Sequence, residues 1–384
     1  YINLMEKKKI KSIFDEEIDF EEKIRKIELE LNRKIFPEKT VIFIDEIQES
    51  EAAVTSLKFF CESSLPYKVV CAGSLLGVKI NRFHSSFPVG KVIIEYMYPM
   101  NFEEFLIALG KEMWVEEIKR CYEDCTEISI HEKLLNLYRV YLCIGGMPAA
   151  IQNYIDSGEE ILLWRKNIVR DIITSYLADM NKYTKSKSEA IKNEKVYNTI
   201  PKVLAKENQK FKYSEIETGA KKREYESSID WLVSSRMIYS CSLVNKPEVP
   251  LKAYEQSDYF KLYLSDVGML TSLLEINFQD ILLNNSFIFK GAIAENFVAQ
   301  TFRANEISLY YWRSKNTAEI DFLLYNNDGI IPVEVKASDN TKSKSLNYYM
   351  EIYKPKYGIR LSTKNFGFEN SIKSIPIYAT FLIK

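Results

Sequence analysis

The chain has 384 residues, of which 46% are hydrophobic and 27% charged, and its 52 Lys and Arg nearly balance its 53 Asp and Glu. This composition indicates a soluble globular protein of several domains and excludes an intrinsically disordered chain. The formal net charge of −1 excludes a molecule that is basic overall, so any nucleic-acid contact must come from a local patch. No apolar run is long enough for a membrane span and no leader pattern opens the chain, so we expect a cytoplasmic protein without a membrane partner.

The cysteine and histidine content argues against a zinc site. Cys121 and Cys125 are four residues apart on a predicted helix, but no second pair of Cys or His follows at the spacing of metal ligands. We interpret the six scattered cysteines as buried thiols of a reducing compartment.

The strongest pattern in the first part of the chain is Val41–Glu49, in which four apolar residues run into Asp45 and Glu46. A continuous apolar run predicts a parallel strand covered on both faces, and ligands of such sheets bind at the carboxyl ends of the strands. At that position Asp45 would hold Mg²⁺ and Glu46 would polarise a water beside a phosphate, as in Walker B of P-loop nucleotide hydrolases. A buried strand that ends in a solvated acidic turn is the alternative.

Further elements surround this strand. Tyr1–Leu4 has the pattern of the tail of a strand, and we predict helices over Asp19–Asn32 and Ala52–Glu62. Tyr67–Ser74 predicts a second buried strand, after which Ser74 would either contact a γ-phosphate or serve only as a turn residue. Ser85–Val92 is a near match to a phosphate loop that lacks two required residues, so we interpret it as a loop before a strand at Val92–Ile94.

Two later signals concern helix ends. Asn101 followed by Glu104 predicts a capped helix start, and Gly145-Gly146 with Pro148 predicts a turn that glycine makes easily. This turn would connect a helix over Ile130–Leu142 to one over Ala149–Tyr154.

Four segments together resemble the prokaryotic AAA-type ATPases: Val41–Glu49, Ala72–Gly77, Pro99–Phe105 and Cys143–Pro148. More narrowly, they resemble the family of these ATPases whose C-terminal half is a domain of unknown function with a restriction-endonuclease-like fold. The resemblance implies ATP and Mg²⁺ as cofactors. It implies that Asp45 binds Mg²⁺, Glu46 activates water and Ser74 contacts the nucleotide. Members of this family begin with a strand and a phosphate loop that these 384 residues lack, so we expect further residues before Tyr1.

The helix predicted over Ile161–Met180 carries a basic edge formed by Arg165, Lys166 and Arg170. Such an edge would either supply an arginine finger across a subunit boundary, in a homo-oligomer, or be a solvated face. Lys91 is a weaker candidate for the same role.

After a polar stretch at Asn181–Lys195, which we interpret as a linker, the chain predicts helices and then a pair of strands. That order is typical of a winged helix, a variant of the helix-turn-helix. In this interpretation Lys221, Lys222 and Arg223 lie at the start of the second helix and contact DNA. The alternative is a winged helix that serves only for packing.

The last part of the chain combines a helix with a hairpin. Lys290–Val298 predicts a helix that carries Glu295, and Thr317–Leu324 and Ile330–Ala337 predict two strands joined by a turn. The hairpin carries an Asp on one strand and Glu-x-Lys on the other, and the preceding helix carries a Glu. This arrangement is the pattern of PD-(D/E)-x-K nucleases. Asp321, Glu334 and Glu295 would hold Mg²⁺, and Lys336 would activate water or stabilise developing charge. A surface hairpin with a salt bridge is the alternative.

We therefore predict an α/β protein with a truncated P-loop AAA-type parallel sheet and helical lid, then a winged helix, then an α/β restriction-endonuclease-like domain. The predicted boundaries are 1–128 for the ATPase core, 129–190 for the lid, 191–265 for the winged helix and 266–384 for the nuclease-like domain. The leading hypothesis is an ATPase coupled to a DNA-associated nuclease-like domain. The alternatives are a non-catalytic regulator that binds DNA or protein, and an Mg²⁺-dependent nuclease with a vestigial ATPase half.

Overall fold

A computed structural model describes residues 1–74, 87–184, 186–206, 209–285, 289–314, 318–337 and 343–384. The chain divides into two units, Tyr1–Met97 and Tyr98–Lys384. Parts of four predicted patterns lie outside the described residues: the end of Ala72–Gly77, the beginning of Ser85–Val92, Lys185 of the predicted linker, and Thr317 of the hairpin. In the described part of the chain, no helix is both long enough and apolar enough to cross a bilayer.

The described residues of the first unit form three parallel strands and three helices. The strands are β1 Ile2–Asn3, β2 Val41–Asp45 and β3 Lys68–Cys71, in that order across the sheet, and the helices are α1 Lys8–Asp15, α2 Phe20–Leu31 and α3 Glu51–Glu62. Each neighbouring pair is parallel, with Ile2 opposite Ile44 and Ile42 opposite Val69. The predicted strand tail at Tyr1–Leu4 is therefore confirmed, as are both predicted helices.

The helices cover one face of this sheet, and the prediction that both faces of β2 are covered is wrong. Ile42 and Ile44 are buried in a core with Ile13, Ile24 and other helical residues. Because alternate strand residues point to opposite faces, Val41 lies on the other face, where it is 56% exposed.

Two further strand predictions need correction. The strand expected at Tyr67–Ser74 is only four residues long, and its Val70 is 50% exposed instead of buried. The strand expected at Val92–Ile94 is not formed, and Ile93 is 88% exposed. A strand needs a neighbour for its backbone hydrogen bonds, and among the described residues none pairs with 92–94.

The second unit contains eleven helices and two sheets in its described residues. The helices are α4 Phe102–Ala108, α5 Glu112–Asp124, α6 His131–Ile144, α7 Pro148–Asp156, α8 Asn167–Tyr183, α9 Lys187–Leu204, α10 Lys222–Ser234, α11 Val267–Leu273, α12 Phe278–Leu282, α13 Lys290–Ala304 and α14 Lys344–Tyr353. The strands are β4 Ile238–Val244, β5 Glu255–Leu264, β6 Tyr310–Arg313, β7 Glu319–Ile320, β8 Phe322–Asn326, β9 Gly329–Val335, β10 Gly358–Ser362, β11 Gly367–Glu369 and β12 Ile372–Pro376.

Sheet pairing joins segments that are distant in sequence. One sheet has the order β11-β12-β10-β9-β8, and the other has the order β5-β4-β6-β7. Strand β4 pairs antiparallel with β5 and parallel with β6, so the strands of the predicted winged helix share a sheet with strands of the C-terminal part. The helices and strands of the predicted winged helix occur in the expected order, and its assignment as such stays a prediction.

The predicted linker at Asn181–Lys195 is wrong, because most of it lies in α8 and α9. Lys and Glu are good helix formers, and Ser186 accepts a hydrogen bond from the backbone N–H of Glu189 at 3.2 Å, which caps the new helix. The capping box predicted at Asn101 and Glu104 is present, with both reciprocal hydrogen bonds.

The Gly145-Gly146 turn confirms that glycine is required there. Gly145 has a φ of +77°, and a Cβ on Gly146 would lie 2.1 Å from the carbonyl oxygen of Met100. The N–H of Gly146 donates to Oδ2 of Asp266 at 2.6 Å, and the N–H of Met269 donates to Oδ1 at 3.1 Å. Asp266 is fully buried, so the turn closes around an internal carboxylate.

A second internal contact joins the two ends of this unit. His131, the first residue of α6, has Nδ1 2.8 Å from the Tyr378 hydroxyl and Nε2 2.8 Å from the carbonyl oxygen of Thr363. Nearby, Nδ2 of Asn365 donates to the carbonyl oxygen of Ile128 at 3.1 Å.

Asp266 predicts a pH dependence of stability. Burial raises its pKa to about 6 from an ordinary 3.8, against the lowering effect of its backbone hydrogen bonds. The native state therefore binds this proton more tightly than the unfolded state does, and the contribution to stability grows as pH falls below about 6. Between pH 7 and pH 5 the free energy of unfolding of the natural protein should rise by about 1 kcal/mol relative to that of Asp266→Asn.

The measurement is urea denaturation of both proteins at the two pH values, so that the other titrating groups cancel in the difference. A difference that stays constant, or that shrinks at pH 5, would contradict this account of Asp266.

Candidate functional site

The first candidate site lies at the carboxyl ends of β2 and β3, where the structure brings Glu46 and Ser74 together. Strands β2 and β3 are parallel, so the residues that follow them meet at one edge of the sheet. The side-chain amide of Gln48 donates to the Glu46 carboxylate and, at 3.3 Å, to the Ser74 hydroxyl. Sequence reasoning missed Gln48, whose only signal was its position two residues after Glu46.

Asp45 is the last residue of β2 and is held by the neighbouring strand. Its Oδ2 accepts hydrogen bonds from the Tyr1 hydroxyl and, at 3.2 Å, from the Asn3 amide, and its Oδ1 accepts from the N–H of Glu46 at 3.0 Å. The register of β1 on β2, which sets Asn3 opposite Asp45, places these donors.

Glu46 has a left-handed backbone, with φ 54° and ψ 39°. This conformation is costly for a residue with a Cβ, and such residues cluster at functional sites. The turn directs the Glu46 carboxylate toward Gln48 and Ser74 instead of along the strand.

Magnesium binding by Asp45 and Glu46 stays a prediction, because both oxygens of Asp45 already accept hydrogen bonds from the protein. Both side chains are half-buried, and carboxylate oxygens are the ligands that Mg²⁺ prefers. Ser74 is exposed beside them and offers a hydroxyl.

The basic residues proposed as arginine fingers lie at exposed positions. Lys91 pairs with Glu62 at 3.0 Å. Arg165, Lys166 and Arg170 are all exposed, at and before the start of α8, and Nζ of Lys166 lies 4.9 Å from the centre of the Phe278 ring. Their role at a subunit boundary stays a prediction.

The second candidate site lies in the C-terminal hairpin. Glu334, on β9, is buried, and its Oε1 lies 2.5 Å from Nζ of Lys336. Its Oε2 is buried and has no hydrogen-bond partner among the residues that the structure describes. Asp321 lies between β7 and β8, and its Oδ2 accepts the N–H of Val335 at 2.7 Å. The predicted hairpin thus brings these three side chains together.

Burial raises the pKa of Asp321 well above its usual range, and the negative charges of Glu295 and Glu334 raise it further. The charge of Lys261 and the hydrogen bond from Val335 act in the opposite direction. A carboxyl whose pKa is raised in this way favours a proton or a cation at its oxygens.

Lys261, on β5, is the residue of this site that sequence reasoning missed. It is only 2% exposed, and its Nζ lies 2.8 Å from Oε1 of Glu319 and 3.4 Å from Oε2 of Glu295. Burial would lower the pKa of Lys261, but Glu295, Glu319 and other negative partners raise it above its ordinary value.

Both oxygens of Glu295 are engaged with protein donors. Oε1 accepts the side-chain amide of Gln209 at 2.9 Å, and Oε2 accepts the Tyr263 hydroxyl at 3.2 Å in addition to its contact with Lys261. Among the described residues Glu334 has an oxygen without a hydrogen-bond partner and Glu295 does not, and the binding of a cation by Asp321 and Glu334 stays a prediction. Consistently, no group of three His, Cys, Asp or Glu in the described ranges is arranged to hold a metal ion.

The predicted DNA contact at Lys221, Lys222 and Arg223 lies at the exposed start of α10. Lys222 pairs with Asp258 at 2.7 Å and with Glu226 at 3.5 Å. These acidic neighbours reduce the positive potential of the patch, and the DNA contact stays a prediction.

Comparisons with known proteins match three successive segments of the chain. Residues 1–106 match a family described as an AAA domain, so the beginning of the chain is an AAA-type ATPase-like domain. Residues 135–280 and 290–380 match two families described as domains of unknown function, DUF8612 and DUF4143.

No curated protein matches the sequence. A Walker-type ATPase of Pyrococcus abyssi is similar in structure over 71% of this chain and 76% of its own, with 15% identity and a TM-score of 0.36. A likeness this low carries no argument about the fold.

The left-handed backbone of Glu46 yields a prediction for a pair of variants. Both Glu46→Gly and Glu46→Ala remove the carboxylate, but only alanine keeps a Cβ that strains this conformation. We expect Glu46→Gly to have a free energy of unfolding about 1 kcal/mol higher than Glu46→Ala, as measured by urea denaturation.

The same pair of substitutions at Glu49 is the control, because Glu49 lies in a right-handed 3-10 turn where alanine is favoured. Equal stabilities of the two Glu46 variants would show that the backbone relaxes there.

Proposed function

We propose, from the AAA-domain match of residues 1–106, that this chain is an ATP hydrolase whose N-terminal unit binds ATP with Mg²⁺. The observation that supports the proposal is the position of Asp45, Glu46 and Ser74 at or just after the carboxyl ends of two parallel strands, with Gln48 bonded to both Glu46 and Ser74. That edge is where sheets of this class bind their ligands.

Each side chain has a role set by its position. Asp45, fixed by Tyr1 and Asn3, would hold the magnesium ion, which neutralises phosphate charge when bound. Glu46 would accept a proton from the attacking water, and Gln48 holds its carboxylate in place. Ser74 would donate to a phosphate oxygen or to that water.

Glu46→Gln tests the proposal. We expect it to lower ATP hydrolysis by about 100-fold or more, because a general base is lost, while nucleotide affinity stays within about twofold. Hydrolysis would be followed by phosphate release and affinity by titration with ATP and Mg²⁺. The protein would be expressed from its natural gene, with any residues that precede Tyr1.

Glu49→Gln is the matched control, since it makes the same change three residues further along and should leave hydrolysis intact. Natural protein that does not hydrolyse ATP, or a Glu46→Gln variant that retains full turnover, would refute the proposal.

A second candidate function belongs to the C-terminal hairpin. We propose that its residues form an Mg²⁺-dependent phosphodiester-cleaving site of the PD-(D/E)-x-K type on a DNA partner. The observation in its favour is the hairpin itself, which places Asp321 beside the Glu334–Lys336 pair. Asp321 and Glu334 would hold the metal ion, and Lys336 would stabilise charge on the phosphate.

Asp321→Ala and Lys336→Ala should each reduce cleavage of supercoiled plasmid DNA in Mg²⁺ by about 100-fold or more. Asp328→Ala, in the exposed turn of the same hairpin, should not. If the natural protein binds DNA with a steep salt dependence but does not cut it, the fold serves as a non-catalytic regulator instead.

A further inference from the structure

The C-terminal site contains an ammonium group buried among carboxylates. Lys261 is 2% exposed, and its Nζ contacts Glu319 at 2.8 Å and Glu295 at 3.4 Å. Nζ also lies 5.3 Å from the centre of the Tyr311 ring. A buried charge is tolerated only with close partners of opposite sign, so Lys261 and its two glutamates are held together.

The centre of the site contains four carboxylates and two ammonium groups. The carboxylates are those of Glu295, Glu319, Asp321 and Glu334, and the ammonium groups are those of Lys261 and Lys336. Lys210 and Arg313 add positive charge nearby, since Lys210 interacts electrostatically with Glu319, Lys261 and Arg313.

The carboxylates fall into two pairs with different partners. Glu295 and Glu319 contact Lys261, and the remaining acceptor positions of Glu295 bind Gln209 and Tyr263. Asp321, by contrast, forms no ion pair with a lysine or arginine among the described residues. Within the same described ranges, Glu334 has one buried oxygen without a hydrogen-bond partner.

We propose that Lys261 is a built-in cation whose ion pairs keep Glu295 and Glu319 from binding a metal ion. Asp321 and Glu334 are then the carboxylates that bind a divalent cation. This proposal rests on the proposed Mg²⁺-dependent cleavage site only in assuming that a divalent cation binds near Asp321. It changes the predicted ligand set, because Glu295 becomes a counter-ion of Lys261 instead of a metal ligand.

The test is titration of the complete chain with Mn²⁺, followed by calorimetry and by the shift in melting temperature. We expect Asp321→Asn to weaken Mn²⁺ binding by about tenfold or more and Glu295→Gln to change it by less than about twofold. Lys261→Met releases two carboxylates and should tighten binding by about tenfold. In the Lys261→Met background, Glu295→Gln should now weaken Mn²⁺ binding by about tenfold, since the two residues are coupled.

Lys202→Met, on the exposed surface of α9, is the matched control and should leave Mn²⁺ affinity unchanged. If Lys261→Met does not fold, Lys261→Gln serves in its place, because it removes the charge and retains a donor for Glu319. Thermal melting curves recorded without metal show whether Lys261→Met is folded, and so which of the two variants is titrated.

The proposal is overturned if Glu295→Gln weakens Mn²⁺ binding as much as Asp321→Asn does in the presence of Lys261. The proposal is also overturned if Lys261→Met and Lys261→Gln both bind Mn²⁺ with the affinity of the natural protein. If the natural protein does not bind Mn²⁺ and Lys261→Met does, the built-in cation is supported while the Mg²⁺-dependent cleavage fails.

Discussion

The buried ion pairs of Lys261 hold together elements of the second unit that are far apart in sequence. A buried ammonium has to keep its carboxylate partners, so the elements that carry them cannot move apart without a large cost in free energy. Lys261 lies on β5 and Glu319 on β7, which are the two edge strands of the sheet β5-β4-β6-β7. Glu295 comes from helix α13. One side chain thus fixes both edges of a sheet and the helix that packs beside it.

The two candidate sites are built in different ways. At the first, Asp45, Glu46 and Gln48 are nearly consecutive, and a parallel neighbour contributes Ser74. At the second, a local hairpin supplies Asp321, Glu334 and Lys336, and its surroundings come from strands and helices far away in sequence. The first arrangement draws its residues from Tyr1 to Ser74, whereas the second draws them from Gln209 to Lys336.

This difference explains what the sequence could predict. Local signals were reliable: the cap at Asn101, the turn at Gly145-Gly146 and the hairpin around Asn326–Gly329 depend on neighbouring residues and on backbone geometry. Lys261 could not be found in this way. It belongs to a segment interpreted as part of a winged helix, and it meets Glu319 only because β4 pairs with both β5 and β6. The predicted strand at Val92–Ile94 failed for a related reason, because an apolar run does not specify the neighbour it needs.

The hydrogen bonds of His131 bear on how the second unit can be divided. They connect the first turn of α6 to Thr363 and Tyr378, which are more than two hundred residues later in the chain, and Asn365 adds a further link to Ile128. The matched segments 135–280 and 290–380 also share a sheet, because β4 of the first segment pairs with β6 of the second. Expressing either one alone would expose polar groups and apolar surface that the other normally covers, so the smallest autonomous fragment has to contain both.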